Sequence, residues 1–535
     1  MSFMDSHSDD RRAPSPVGGG TTSRDGEDQV AVDRSAAEML HLQRTDTIIL
    51  VIVCLAQFMV VLDVSIVNVA LPSIQKDLGF SAASLQWVVT AYALTFGGLL
   101  LLGGRLADLF GRRRIYLLGL ALFTAASLLG GFASNQATLI AARSLQGVGA
   151  AVLSPATLTI LTVTFTEHRA RARALGVWSA VAAGGGAAGA LFGGILTQYL
   201  SWRWILFVNV PIGVALFLFA RLYLVESRAG GPRRRLDVAG SVTVTAGLMA
   251  LVYAIVHTDE VAWGSRSTVL ALSVAALLLG TFVLIEAKLA DHPLVPLRLF
   301  RSRAVTGADL VMFCFGASMF SMWFFLSLYL QQVLGFDPVL TGISFLPQTA
   351  AIAIGATISG RLAPRLGPRN VLIVGSLLAA GGLYWLSLIQ IGDGYWPGVC
   401  IGGILSTFGM GLAFTPIALS ATGGVRREEA GLASGLVNSS RQIGASVGLA
   451  VLSTAAASRI TSLLHGKAVT PELRRAAMTS AYAHGFLIAS VIALAGGFLA
   501  LIIPGHPSPA PASPVATAAS GDGGAPADVP TAAER

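Results

Sequence analysis

Four ionisable side chains stand inside long apolar runs of this chain: Asp63, Arg143, Asp309 and Arg441. If those runs cross a bilayer, each such group costs about 2.5–3.5 kcal/mol at the centre of a helix on insertion scales, so each is expected to serve a function. A carboxylate can take up and release a proton, whereas a guanidinium stays charged and sets the field around its neighbours. For Asp63, burial opposes the carboxylate charge and a nearby cation favours it. Such a site could bind proton and substrate alternately. The bland alternatives are a helix-end Asp63 reaching water and an Arg143 that only makes structural hydrogen bonds. Gln146, one turn beyond Arg143, is a plausible polar partner, and Asn438 shares a helix face with Arg441. That second pair fits an interhelical structural network at least as well as a transport role. Asp309 is expected to face interfacial water, with a second acidic site as the alternative.

This chemistry is not catalytic. The sequence has no grouping of His, Asp and Ser, no zinc-ligand spacing and no phosphate-binding Gly-rich loop. No enzyme activity, metal or cofactor is expected, and without a P-loop ATP is not the energy source. A proton crossing a 100 mV potential releases about 2.3 kcal/mol, enough to drive exchange. Cys54, Cys314 and Cys400 all fall in apolar runs and read as small buried hydrophobes.

The elements that must hold these residues follow from composition. The chain has 535 residues, 54% hydrophobic and only 12% charged, with a net charge of +8 and a mean hydropathy of +0.70. That is too little charge to solvate an ordinary surface. Fourteen apolar segments long enough to span a bilayer lie between residues 47 and 503. The arginines sit in short connections between them rather than on one face, which argues against nucleic acid as a partner. With the N-terminus in the cytoplasm, Lys and Arg favour the cytoplasmic loops by about three to one, and fourteen spans return the C-terminus to the same side. The aromatics Trp87, Tyr92, Phe96, Trp178, Phe320, Trp323 and Phe324 suit an apolar ligand pocket, although packing or lipid contact explains most aromatics in such chains.

One connection is unusual. "GRLADLFGRRR" at 104–114 crowds Arg105, Asp108, Arg112, Arg113 and Arg114 between two apolar runs. Gly104 and Gly111 permit a tight reversal. Asp108 can pair with a guanidinium or meet another helix's N-terminus, a contact able to form in one conformation and break in another. The segment realigns with "GRLAPRLGPRN" at 360–370, where Gly, Arg, Leu, Ala, Gly and Arg recur. A six-plus-six repeat with two extra spans between the halves accounts for all fourteen, and a site between repeated halves is a transporter architecture.

The same stretch resembles the loop signature of the major facilitator superfamily. "LDVSIVNVALP" at 62–72, "ARSLQGVGAA" at 142–151, "WRWILFVNVPIG" at 202–213 and "RQIGASVGLAV" at 441–451 resemble sequences of its fourteen-helix drug:proton antiporter branch. The resemblance covers about 45–503. It implies an all-α membrane fold of two six-helix bundles, at 45–225 and 304–503, with two extra transmembrane helices at 236–288. It also implies proton-coupling or substrate roles for Asp63 and Arg143. One departure is visible: the fifth-span antiporter motif keeps its glycines (Gly185, Gly189, Gly193, Gly194) but has Ala190 where the family has proline. The glycines still permit close helix packing, and the missing proline weakens the case for export over import.

The expectation is a monomeric, multi-pass transporter of a bacterial cytoplasmic membrane that exports a hydrophobic small molecule in exchange for protons. Residues 1–44 and 504–535 are expected to be disordered cytoplasmic tails. A proton-coupled importer and a membrane sensor on a transporter fold are the alternatives. Few membrane carboxylates set against two membrane arginines favour a neutral, zwitterionic or anionic substrate.

Overall fold

A computed structural model describes residues 24–505, apart from 229–235, 259–260, 262, 292, 424 and 426–428; side chains are described from Thr45 onward, except at 168, 172 and 183. Among the described residues there are fourteen helices long and apolar enough to cross a membrane. They are α1 (Thr45–Leu78), α2 (Ser84–Phe110), α3 (Arg112–Gly131), α4 (Gln136–Thr164), α5 (Arg169–Tyr199), α6 (Trp204–Tyr223) and α7 (Val238–His257). The rest are α8 (Arg266–Leu289), α9 (Arg303–Val333), α10 (Pro338–Leu366), α11 (Pro368–Ser387), α12 (Tyr395–Gly423), α13 (Ala430–Leu464) and α14 (Pro471–Ile502).

Helix starts are written into side chains. The side chains of Asn135, Ser265, Asp337 and Thr470 accept from backbone N–H groups two to three residues into α4, α8, α10 and α14. Each satisfies a donor that the helix itself leaves unpaired. Several helices outrun their apolar cores. The connection between α13 and α14 is only residues 465–470, because α13 runs to Leu464 and the Thr470 cap with Pro471 in the first turn starts α14 early. The polar ends need no hydrocarbon, so hydropathy does not report them. The helix that forms α1 begins at Arg24, so the tail expected at 1–44 is helical over its last part; residues 1–23 and 506–535 lie outside the described residues. The Gly-rich α5 is a continuous helix, as it must be where backbone groups have no water to pair with.

The repeat governs the packing. In the first six helices the pairs α1–α5, α1–α4, α1–α6, α2–α4, α3–α4 and α3–α6 are in contact. Each recurs eight helices later, as α9–α13, α9–α12, α9–α14, α10–α12, α11–α12 and α11–α14. Positive-φ glycines mark matching turns: Gly79 with Gly335, and Gly111 with Gly367, each pair separated by the same interval. The bundles meet along α2–α13 and α5–α10, which are themselves equivalent pairs, and α7–α8 docks on that seam through α7 against α2 and α13.

Small residues set the close approaches. On α5, a Cβ at Gly185, Gly189 or Gly193 would run into the α1 backbone at Phe58, Leu62 or Ile66. Ser65 Oγ donates to Gly186 O at 2.7 Å across the same contact. Gly194 faces the other way, against Pro338 and Val339 of α10. Gly444 and Gly448 of α13 do the same work against Phe313 and Ala317 of α9.

Candidate functional site: a buried acid–base network in the first bundle

Asp63 lies mid-way along α1 and is fully buried, so the helix-end alternative fails. Arg143 of α4 reaches it with NH1 2.5 Å from Asp63 Oδ2. The other carboxylate oxygen, Oδ1, accepts from Gln146 Nε2 at 3.0 Å and from Asn209 Nδ2 of α6 at 2.9 Å. Arg143 spends its remaining donors locally, with Nε on Val88 O at 2.9 Å and NH1 also on Gln146 Oε1 at 2.8 Å. Ser127 of α3 closes the circuit through Gln146 Nε2 at 2.6 Å. The guanidinium lies 4.6 Å from the centre of the Tyr92 ring on α2. Asp63, Ser127, Arg143, Gln146 and Asn209 are each at most 1% exposed.

Five helices thus converge on one carboxylate. The backbone allows it because α4 is stripped to glycine where it meets its neighbours: Gly147 packs on the backbone of Tyr92, and a Cβ at Gly149 would meet Phe123 N at 2.7 Å. A buried ion pair survives only when its lone pairs and N–H groups are satisfied by neighbours, and here Gln146, Asn209, Ser127 and the Val88 carbonyl supply that. Protonating Asp63 would remove the charge that Arg143 answers and release the amides that bind it.

The stretch around Asn209 also anchors the ends of the helices. Trp202 Nε1 and Arg203 NH1 both donate to Asp77 Oδ2, at 2.9 and 2.7 Å, fastening the end of α1 to the start of α6. Asn209 and Ser127 were not singled out in the sequence. A neutral Asn or Ser within an apolar run carries no cost large enough to draw attention, and their spacing from Asp63 is visible only once α3 and α6 pack on α1.

The second bundle holds a looser arrangement. Arg441 bonds its own-helix neighbour, with NH2 2.9 Å from Asn438 Oδ1, and its guanidinium lies 5.9 Å from the Phe320 ring. It is not brought to Asp309. Asp309 is not at the water interface as expected: it is 5% exposed. It packs toward α13, where Ser440 Oγ donates to its Oδ1 at 3.5 Å while Oδ2 is buried without a partner. The reason is the α9–α13 contact, which covers that turn. Tyr92 is 1% exposed, and its hydroxyl is buried without a partner.

In the 104–114 loop, Asp108 is half exposed and, among the described residues, pairs with Arg112 one turn on, at 3.3 Å. The N-terminus of α3 is capped instead by Glu226. Its two oxygens accept from the backbone N–H of Arg113 and Arg114, each at 3.2 Å. Arg113 NH2 donates to Arg221 O at 2.6 Å and Arg105 NH2 to Pro293 O at 2.6 Å. Gly111 has φ +106, and a Cβ there would strike the Glu226 carboxylate. Gly104 packs lightly against Pro155 of α4.

A family model for the major facilitator superfamily matches residues 53–449. The chain belongs to the major facilitator superfamily. Among this superfamily member's relatives, the cephamycin export protein CmcT of Amycolatopsis lactamdurans is 43% identical, over 86% of this chain and 93% of its own length. The puromycin resistance protein pur8 of Streptomyces alboniger is 43% identical, over 84% and 89%. The tetracenomycin C resistance and export protein of Streptomyces glaucescens is 34% identical, over 80% and 79%. A solved bacterial homolog of the human lysosomal transporter Spinster, in an inward-facing and unoccupied conformation, shares the fold. Its TM-score is 0.58 at 20% identity, over 85% of this chain and 97% of that one.

Proposed function

We propose that this chain is a proton-coupled exporter of a hydrophobic antibiotic or related small molecule, working by alternating access in a bacterial cytoplasmic membrane. The observation that carries the reading is the fully buried Asp63–Arg143 pair, the one place where α1, α2, α3, α4 and α6 all answer to a single protonatable group. Export and antibiotic resistance in relatives at 34–43% identity support the direction and the substrate class. The basic loops put both termini in the cytoplasm. The end bearing Gly79 and Gly335 then faces outward, and four hydrogen bonds tie the bundles together there: Ser327 to Asn68, Gln331 to Val69, Gln332 to Gln75 and Val339 to Gln198. The bundles are therefore closed toward the outside in this state. Protonation of Asp63 from outside releases the substrate and resets the cycle, and Arg441 with Asn438 forms a second polar station in the other bundle, apart from the buried Asp309. The 104–114 loop latches one of the two states, and the working unit is a monomer.

The test is proton movement in everted vesicles with an acid lumen, on addition of a panel of lipophilic antibiotics. Proton release with the wild type, absent in a correctly folded Asp63→Asn variant, is the expected result. Release in both would remove Asp63 as the carrier and turn attention to Asp309. No release with any compound, combined with uptake of a metabolite into intact cells, would replace export with import.

A further inference from the structure

The guanidinium of the second bundle is far less provided for than that of the first. Arg143 has a carboxylate, a side-chain amide oxygen and a backbone carbonyl around it. Arg441, among the described residues, has a single oxygen: Asn438 Oδ1 accepts from its Nε at 3.2 Å and from its NH2 at 2.9 Å. No ion pair among the described residues includes Arg441. The helices around it, α2, α9 and α13, are described throughout. α13 carries no acid, Asp108 of α2 pairs with Arg112, and Asp309 of α9 meets Ser440 instead. A neutral amide does not offset the charge.

The depth of Arg441 makes that lack matter. Gln442, the next residue, packs against Gly97, halfway along α2, and the Arg441 carbonyl packs against Gly316 of α9. The guanidinium lies 5.9 Å from the Phe320 ring, also on α9. The cation thus stands well inside the spans, beside the α2–α13 seam where the bundles meet, and is partly exposed. A charge at such depth faces a bundle interior rather than hydrocarbon. Asn438 holds the Nε–NH2 side of the guanidinium fork and leaves the NH1–NH2 end open. That end matches the two oxygens of one carboxylate, and the Phe320 ring beside it offers a surface for an apolar body.

We propose that Arg441, positioned by Asn438, recognises a carboxylate on the transported molecule, so that the substrate is an anionic or zwitterionic lipophile; the inference rests on the exporter reading above and names the substrate class within it. The bound carboxylate supplies the negative charge that the second bundle does not place there. Substrate recognition and proton handling then fall to different bundles, at Arg441 and at Asp63.

The experiment measures binding of three fluorescent probes that share one apolar body, pyrenebutyrate, its methyl ester and pyrenebutylamine, to the full chain in phosphatidylcholine nanodiscs. The wild type is expected to bind the acid about tenfold or more tighter than the ester, and the amine most weakly. Arg441→Gln should bind acid and ester alike, and Arg441→Lys, which keeps the charge but not the fork, should keep only part of the preference. Asn438→Asp gives the guanidinium a fixed anionic partner and should also erase the preference, so the test does not hang on one variant folding. Equal binding of acid and ester by the wild type, no binding of the acid, or a preference that survives both Arg441→Gln and Asn438→Asp overturns the proposal. Acid-selective binding that depends on Arg441, with no compound driving proton release in everted vesicles, upholds the carboxylate site and removes the antiport. Proton release driven only by uncharged or cationic compounds keeps the antiport and overturns the carboxylate site.

Discussion

Arg143 and Asp63 hold opposite charges with almost no water, and the balance of the site depends on keeping both. Removing one partner of a buried pair leaves an uncompensated charge, a loss of about 3–5 kcal/mol. Arg143→Ala is therefore expected to lower the thermal midpoint in detergent sharply. The double variant Asp63→Asn with Arg143→Gln removes both charges while keeping groups that Gln146 and Asn209 can bond. It should recover most of that stability and still show no substrate-driven proton release. A double variant as unstable as Arg143→Ala would mean that the network needs the ion pair for folding rather than for coupling. The charged members of this site were legible in the sequence because ionised groups in apolar runs are costly. Asn209 and Ser127 were not, since neutral polar groups in a helix are cheap and only tertiary packing aims them at Asp63. Asp309 was misread for the mirror reason: its place near a helix end suggested water, and the α9–α13 contact removed it.

At the scale of elements, the α2–α3 reversal shows a division of labour that the motif alone conceals. The conspicuous charges belong to the loop, but the cap of α3 comes from Glu226, more than a hundred residues on, whose carboxylate takes the first free N–H groups. An anion there also answers the positive end of the helix dipole. Glu226→Ala is expected to cost about 1 kcal/mol, in the range of a lost N-cap. Hydrogen exchange at the Arg113 and Arg114 amides should quicken, while exchange in α13 stays as it was. Gly111→Ala should cost more than Glu226→Ala, because it combines a positive φ with a collision against the Glu226 carboxylate. Equal effects of the two would argue that the collision is relieved by a shift of the 224–228 segment. The spans themselves were readable because a bilayer demands long apolar helices. Their ends were not, since caps such as Thr470 act through single side chains beyond the apolar stretch.

For the whole molecule, the repeated contact pattern means that two rigid halves share one seam, and alternation requires that the seam open at one end while it closes at the other. Asn68, Gln75 and Gln198 of the first bundle meet Ser327, Gln331, Gln332 and Val339 of the second at the end bearing Gly79 and Gly335. These are single hydrogen bonds, each worth about 0.5–1.5 kcal/mol, so together they bias the equilibrium without locking it. A covalent tie there should lock it. Cys54, Cys314 and Cys400 are buried and can be replaced by Ala to give a clean background for Gln75→Cys with Gln332→Cys. Joining the two new thiols with a short bifunctional reagent is expected to abolish substrate-driven proton release and to leave substrate binding from the Gly111 and Gly367 side intact, with reduction or cleavage of the tie restoring flux. Full transport in the tied protein would show that the halves do not separate at this end, and the route would then have to pass sideways between helices rather than along the seam.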